Sequence, residues 1–301
     1  MDKIVTIEKQ RLELTNTQKI YWPKEKITKG ELLEYYSKIS RVMLPYLKGR
    51  PHSLNRFPNG IKGSSFYQKD VKGKIAKWIT TEGVYSESNG EIIDYFVCTG
   101  KASLIYMVNL GCIEINPWFS RVGRLEKPDY IAIDLDPLEI SFAKVKETAL
   151  AVKEVLDRGK IKSYCKTSGA TGIHIYIPLG AKYEFEIARN FAQVIAQLTH
   201  ELVPNFTSLE RSPAKRKRKV YLDYLQNRTG QTLAAPYSLR PRPGAPVSTP
   251  IEWSELKKIG SPEELNMKNI FKRIEKKGDL FKGVLGKGIN IIKTLNHLGV
   301  D

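Results

Sequence analysis

Apolar side chains in residues 31–47, ELLEYYSKISRVMLPYL, fall at Leu32, Leu33, Tyr36, Ile39, Met43 and Leu47, a spacing that predicts a helix between Gly30 and the Gly49-Arg50-Pro51 stop. From 51 to 117 the pattern shortens to strand-like runs at His52–Phe57, Trp78–Thr80, Ile92–Val97 and Ile113–Ile115. Turn signals separate them at Pro58-Asn59-Gly60, Lys72-Gly73 and Asn89-Gly90, and Ala102–Asn109 reads as a short helix. After Gly123 the order is strand (Tyr130–Leu135), helix (Phe142–Leu156), two strands (Ser163–Thr167 and Ile173–Pro178), helix (Phe185–Leu202) and strand (Val220–Leu225). That order resembles a split βαβ sheet with its helices on one face. From 252 onward, short helical pieces alternate with Lys-rich loops. The expected class is α+β, in two sub-blocks with the site in the cleft between them.

Charge changes the picture next. The 301 residues carry 49 Lys+Arg against 32 Asp+Glu, a formal charge of +17, so a polyanionic partner is expected, nucleic acid before an acidic membrane surface. Hydrophobic residues, at 41%, suffice for a core. No apolar run reaches the roughly 18–20 residues of a membrane span, and the charged N-terminus, MDKIVTIEKQRLELTN, is unlike a signal peptide. Cys98, Cys112 and Cys165 are odd in number and far apart, and the four histidines form no HExxH cluster, so neither a disulfide framework nor a structural zinc site is expected. A cytoplasmic, reduced, basic protein without a membrane partner is the resulting expectation.

Candidate chemistry begins with Asp134-Leu135-Asp136. Residues i and i+2 of a strand share a face, so both carboxylates project together beside a turn expected at Pro137. Such a pair suits Mg²⁺ or Mn²⁺, although a lone DxD is common and the plainer reading is two solvated acids at a strand end. Asp223, inside the apolar strand VYLDYL, is either a third ligand or the partner of a lysine. In Ser168-Gly169-Ala170-Thr171-Gly172-Ile173-His174, glycines would let backbone N–H groups converge on an anion, with Ser168 and His174 as side-chain donors; an ordinary Gly hairpin is the alternative. His174 falls on the strand face opposite Ile173, Ile175 and Ile177. The run Lys215-Arg216-Lys217-Arg218-Lys219 fits a solvated loop or a nuclear signal. Arg240 and Arg242, held among prolines, suit phosphate oxygens or form a plain Arg-Pro loop. Phe66-Tyr67-Gln68-Lys69 could stack a base and hold a phosphate, or its two rings could be core.

Together these segments resemble the polymerase domain of bacterial and archaeal non-homologous end-joining ligase D, a branch of the archaeo-eukaryotic primase superfamily. The resemblance runs from LTNTQKIYWPKEKITKGELLEYY, LPYLKGRP and FYQKD to YIAIDLDP, SGATGIHIYIPL, VYLDYLQN and APYSLRPRPGAPVSTPIEW. It implies one primase-polymerase domain over 1–301, with an N-terminal α/β sub-block at 1–122, an RRM-like catalytic sheet at 123–250 and a helical tail at 251–301. It implies that Asp134, Asp136 and Asp223 bind two divalent ions, manganese in preference to magnesium. Ser168 and His174 would hold the phosphates of a nucleoside triphosphate, with Arg240 and Arg242 nearby. Lys19 and Lys29 match lysines that grip a 5′-phosphate at a DNA gap or break, and Phe66 and Tyr67 match an aromatic pair near the template base. Arg56 and Lys69 join the DNA-binding set by neighbourhood.

Two positions depart from the family pattern. Asn116, in CIEINPW, stands where the family usually has His near the primer end or the sugar, and Asp70 also stands in place of a more usual His. No KxDG-type adenylation motif follows, so a separate ligase and Ku are the expected partners, at the nucleoid. The implied function is template-dependent gap filling and end extension with a preference for ribonucleotides. Two other readings of the residues are a DxD glycosyltransferase, which leaves the charge and the third acid unexplained, and a non-catalytic DNA-end-binding module, against which the intact acid triad argues.

Overall fold

The computed structural model describes residues 3–87 and 90–300; Asn89, of the expected Asn89-Gly90 turn, lies outside them. The architecture is mixed α+β, in two compact units of interleaved chain. The first comprises residues 1–118, 232–248 and 266–272; the second comprises 119–231, 249–265 and 273–301.

The first unit opens with a hairpin, β1 (Lys3–Ile7) and β2 (Gln10–Leu14), and a short pair, β3 (Ile20–Trp22) and β4 (Ile27–Thr28). Helix α1 (Lys29–Met43) starts two residues before its expected position because Thr28 caps it. The Thr28 hydroxyl accepts from the Glu31 N–H while the Glu31 carboxylate accepts from the Thr28 N–H. It ends at Met43, not Leu47, because Pro45 lacks the N–H that the next turn needs; Leu44–Tyr46 tighten into a 3₁₀ turn. The main sheet holds β5 (Arg50–Arg56), β6 (Phe66–Gln68), β7 (Thr81–Ser86), β8 (Glu91–Cys98) and, after helix α2 (Lys101–Asn109), β9 (Cys112–Pro117). Strand β5 is its spine: β9 runs along β5, which also pairs β8 through Arg50–His52 and β6 through Leu54–Arg56. The expected strand at Trp78–Thr80 is a turn, since Trp78 packs its indole edge-on against Tyr106, 5.5 Å away, and the strand begins only at Thr81.

In the second unit β10 (Tyr130–Leu138), α3 (Phe142–Arg158), β11 (Tyr164–Thr167), β12 (Ile173–Pro178), α4 (Phe185–Leu202) and β14 (Lys219–Asp223) follow the expected order. Two-residue strands β13 (Thr207–Ser208) and β15 (Pro250–Ile251) complete a sheet ordered β13-β14-β10-β12-β11-β15. Ile131, Ile133 and Leu135 of β10, Ile173, Ile175 and Ile177 of β12, and Val220 and Leu222 of β14 are fully buried in one cluster. Val152 and Val155 of α3 and Phe191 and Ile195 of α4 complete that cluster, so both helices cover the same sheet face. Pro137 begins no turn, contrary to expectation. Pairing with β12 stops at Leu135↔Ile173, so beyond that residue β10 is an edge strand, where proline is tolerated, and Pro137 pairs with Val220 of β14. Helix α5 (Ile270–Lys277) carries the chain between the units, and α6 (Ile291–Leu298) lies near its end.

Candidate functional site

Period-two alternation leaves the second unit's other sheet face to polar side chains. Its register aligns four of them across four strands: Lys166 opposes His174, His174 opposes Asp134, and Asp134 opposes Asp223. Asp136 is on the same face two residues along, opposite Tyr221. The sheet thus brings together Asp134, Asp136, Asp223 and His174. Like charges directly opposed on a sheet are destabilising unless compensated, and each acid here has a compensating neighbour. His174 Nε2 lies 3.4 Å from Asp134 Oδ1. Asp223 accepts from the Leu225 N–H and the Gln226 amide, both at 2.9 Å. Arg216 Nη2 lies 3.4 Å from Asp136 Oδ2. Burial raises the Asp136 carboxyl above its ordinary value; Arg216 opposes that rise and Asp223 adds to it.

Arg216 is the residue that sequence reasoning missed. It sits inside a five-cation run that reads as solvated, yet its guanidinium is buried, 4.1 Å over the Tyr221 ring, with Nε and Nη1 lacking a hydrogen-bond partner among the described residues. The signal available was its place before a strand that carries an acid.

The glycine turn is already closed. The Ala170 and Gly172 N–H groups converge on Ser168 Oγ itself, at 3.0 and 2.9 Å, in the local side-chain-to-backbone pattern typical of Ser. Those two donors are therefore spent on Ser168, and the anion cradle expected from the glycines is filled by its own hydroxyl.

Arg240, Arg242 and Asn116 belong to the first unit. Arg240 Nε is 2.6 Å from Glu114 Oε2, and the Arg242 carbonyl accepts from the Trp22 indole at 2.8 Å. Glu114 opposes Asn55, and Asn116 opposes Ser53, across β9 and β5, so these four share a face. Both asparagines are buried, and each keeps a polar atom without a hydrogen-bond partner among the described residues, Asn116 Nδ2 and Asn55 Oδ1. A buried polar atom without a partner costs free energy that a ligand can recover. Nothing in the sequence pattern singled out Asn55.

The DNA-directed candidates also lie in the first unit. A pocket lined by Lys29, Arg56, Tyr21, Asn16 and Asn109 joins two of the expected cations. Lys29 is buried there, its ammonium donating to the Thr15 carbonyl at 2.7 Å. Lys19 donates to the Asn59 side chain. Phe66 and Tyr67 are 46% and 64% exposed, which decides against core packing for that pair. The Arg56 guanidinium lies 5.2 Å over the Phe66 ring, and Lys69 is exposed just beyond β6.

Whether the acids suit a metal turns on their chemistry and spacing. Among the described residues, no three Asp, Glu, His or Cys side chains stand close enough together to hold an ion as placed. The donor set nonetheless fits a hard dication: three carboxylates on one face, two of them directly opposed, with Asp136 pushed toward protonation by burial and by its neighbour Asp223. Added positive charge would relieve that repulsion.

Comparison with known proteins gives a consistent result. The family described as LigD, primase-polymerase domain, matches residues 28–281. The Bacillus subtilis bifunctional non-homologous end joining protein LigD is 32% identical over 270 residues, covering 89% of this chain and 43% of that protein. The multifunctional LigD of Mycolicibacterium smegmatis is 29% identical over 276 residues, covering 90% and 36%. The chain thus spans less than half the length of these relatives. The polymerase domain from Mycobacterium tuberculosis Ligase D, solved in complex with DNA, superimposes with a TM-score of 0.85 at 28% identity, over 93% of this chain and 100% of that one.

Proposed function

The chain belongs to the LigD primase-polymerase family, whose chemistry is nucleotidyl transfer, and from that premise we propose that it adds nucleotides, ribonucleotides in preference, to gapped or broken DNA during non-homologous end joining. The observation that carries this reading is the shared face of Asp134, Asp136 and Asp223 beside His174. The primer 3′-oxygen attacks the α-phosphorus of a template-paired nucleoside triphosphate, the new phosphodiester forms, and pyrophosphate leaves. Two divalent ions, manganese or magnesium, held by Asp134, Asp136 and Asp223, would supply the positive charge that acidifies the 3′-hydroxyl and balances the triphosphate. His174 and Ser168 hold phosphate oxygens, and Arg240 and Arg242 offer guanidinium donors suited to phosphate. Asn116 reaches the sugar or primer end. Phe66 and Tyr67 stack near the template base, beside Arg56 and Lys69. The family match removes the glycosyltransferase reading. A DNA ligase activity and Ku complete the repair, in the cytoplasm at the nucleoid. No helix among the described residues is long and apolar enough to cross a membrane.

The decisive experiment is labelled nucleotide incorporation on a gapped duplex, with and without Mn²⁺. Incorporation that depends on the ion supports the proposal. DNA binding with no incorporation under any divalent ion leaves the non-catalytic end-binding module standing instead.

The same assay tests the sugar. Buried Asn116 Nδ2 is a donor in want of an acceptor, and a site that hydrogen-bonds a 2′-hydroxyl penalises its absence. Single-turnover rates are expected to be higher for ribonucleotides than for deoxyribonucleotides. Asn116→His, which also offers a donor and an acceptor and reaches further, keeps or strengthens the difference. Equal rates in the unmodified protein overturn the sugar assignment.

Lys19 and Lys29 give a further expected result. Binding to gapped DNA should favour a downstream 5′-phosphate by on the order of tenfold, about what one lost hydrogen bond to a charged group costs. The Lys19→Ala/Lys29→Ala double variant should bind phosphorylated and unphosphorylated gaps alike. An unmodified protein without that preference contradicts the assignment.

A further inference from the structure

The register that collects the acids also delivers a lysine to the same row. Lys166, on β11, has 0% exposure. Its side chain cannot leave the acid face, because its neighbour Cys165 is buried in the core on the other face. Its Nζ reaches His174 Nδ1 at 2.8 Å, and it lies 5.8 Å over the Tyr176 ring. A buried lysine needs such partners, since the ammonium loses its hydration on burial.

The chemistry of that contact has a consequence for His174. With Lys166 as an ammonium, which has three donors and no acceptor, the 2.8 Å contact needs a lone pair on His174 Nδ1. The single proton of a neutral imidazole is then on Nε2, the nitrogen 3.4 Å from Asp134 Oδ1. In the other tautomer, two unfavourable pairings arise together. Nδ1–H would face an ammonium, and the Nε2 lone pair would face a carboxylate.

We propose that Lys166 is a positioning residue that holds His174 in its Nε2–H tautomer, so that the imidazole presents a donor to anionic oxygen on the acid face of the sheet. This rests on the reading above, in which the anionic oxygen during turnover belongs to the triphosphate. Lys166 touches no reacting atom in this scheme. It determines which edge of the ring carries the proton and fixes the plane in which that proton points.

The test begins with the whole chain, unmodified and unliganded. Nitrogen-15 shifts and two-bond couplings of the His174 ring distinguish the tautomers directly. An Nε2–H signature is expected, and an Nδ1–H signature overturns the proposal without any variant. Two substitutions follow. Lys166→Gln keeps an N–H donor without the charge; Lys166→Met keeps the length and loses the donor. Thermal unfolding identifies any variant that fails to fold, and the unmodified protein's spectrum then remains decisive. In folded Lys166→Met the tautomers should mix, and KM for the nucleotide should rise on the order of tenfold, the usual cost of one hydrogen bond to a charged group. Single-turnover rate at saturation and DNA affinity should change far less. Lys166→Gln should restore the tautomer and most of the KM. A Met variant with the unmodified protein's tautomer and KM overturns the proposal. Absence of incorporation by the unmodified protein would instead refute the polymerase reading, and the ring spectrum would still decide the role of Lys166.

Discussion

Asp134→Ala and Asp136→Ala each abolish nucleotide addition while DNA binding survives nearly intact. The loss should be on the order of 10³-fold or more, because carboxylates that hold charge against a phosphoryl transition state contribute several kcal/mol to the barrier. The surrounding structure suggests that the effect is chemical and not a matter of folding. Both side chains project from the polar face of β10, away from the cluster built on Ile131, Ile133 and Leu135. Removing Asp136 relieves its repulsion with Asp223 and leaves Arg216 stacked on Tyr221, but takes from that buried guanidinium its carboxylate contact. Removing Asp134 leaves His174 its bond to Lys166. The melting temperature of Asp134→Ala should therefore stay close to that of the unmodified protein, and that of Asp136→Ala should fall further, as Arg216 loses its counter-charge. The cations proposed to meet DNA, Lys19, Lys29 and Arg56, belong to the other unit and are not altered. Extension at the unmodified rate by either variant removes those carboxylates from the site. Loss of binding and extension together, with the fold kept, would make them part of DNA recognition.

How much of this was legible beforehand depended on the kind of signal. Alternation made the second unit's sheet readable: in IHIYIP the isoleucines had to share a face, and that placed His174 with the acids. The helix with the strongest amphipathic pattern, Phe185–Leu202, has the bounds the pattern predicts, while α1 is displaced toward the N-terminus and α3 runs two residues further. The N-terminal hairpin was silent because its turn uses Glu8 and Lys9 at φ of 49° and 67°, a conformation normally announced by Asn or Gly. Trp78 reads as a strand residue by type and is a turn residue by packing. The acid triad was visible as residue types, whereas its compensation was not. Ser168 fills its own turn by a local side-chain-to-backbone contact, whereas Arg216 leaving a solvated run and Lys166 meeting His174 depend on contacts with neighbouring strands. Local spacing does not encode such contacts.

Gly172→Ala should impair both stability and catalysis, and its cause lies in backbone packing that no motif expresses. A Cβ at position 172 would stand 2.2 Å from the carbonyl oxygen of Leu135, closer than any real contact allows. The obstacle is main chain, so no rotamer change relieves it. Leu135 lies between Asp134 and Asp136, and its pairing with Ile173 is the last rung joining β10 to β12. The strain must therefore be released by moving one of two things: the strand that carries the acids, or the turn in which the Gly172 N–H bonds Ser168 Oγ and the Gly172 carbonyl accepts from the Ser168 N–H. Overpacking of this kind costs about 1–3 kcal/mol, a fall of several degrees in Tm. A displacement near 1 Å between the acids and the groups proposed to hold phosphate costs on the order of 10²-fold in rate. Nucleotide addition should thus fall further than stability does. Gly123→Asn provides the comparison: that glycine has a φ of 85° with nothing within 4 Å of its Cβ position, and Asn tolerates the left-handed region. It should fold and extend DNA almost as the unmodified protein does. If Gly172→Ala also did so, the approach of the turn to Leu135 would be looser than the structure has it, and the turn would not set the spacing of the acids.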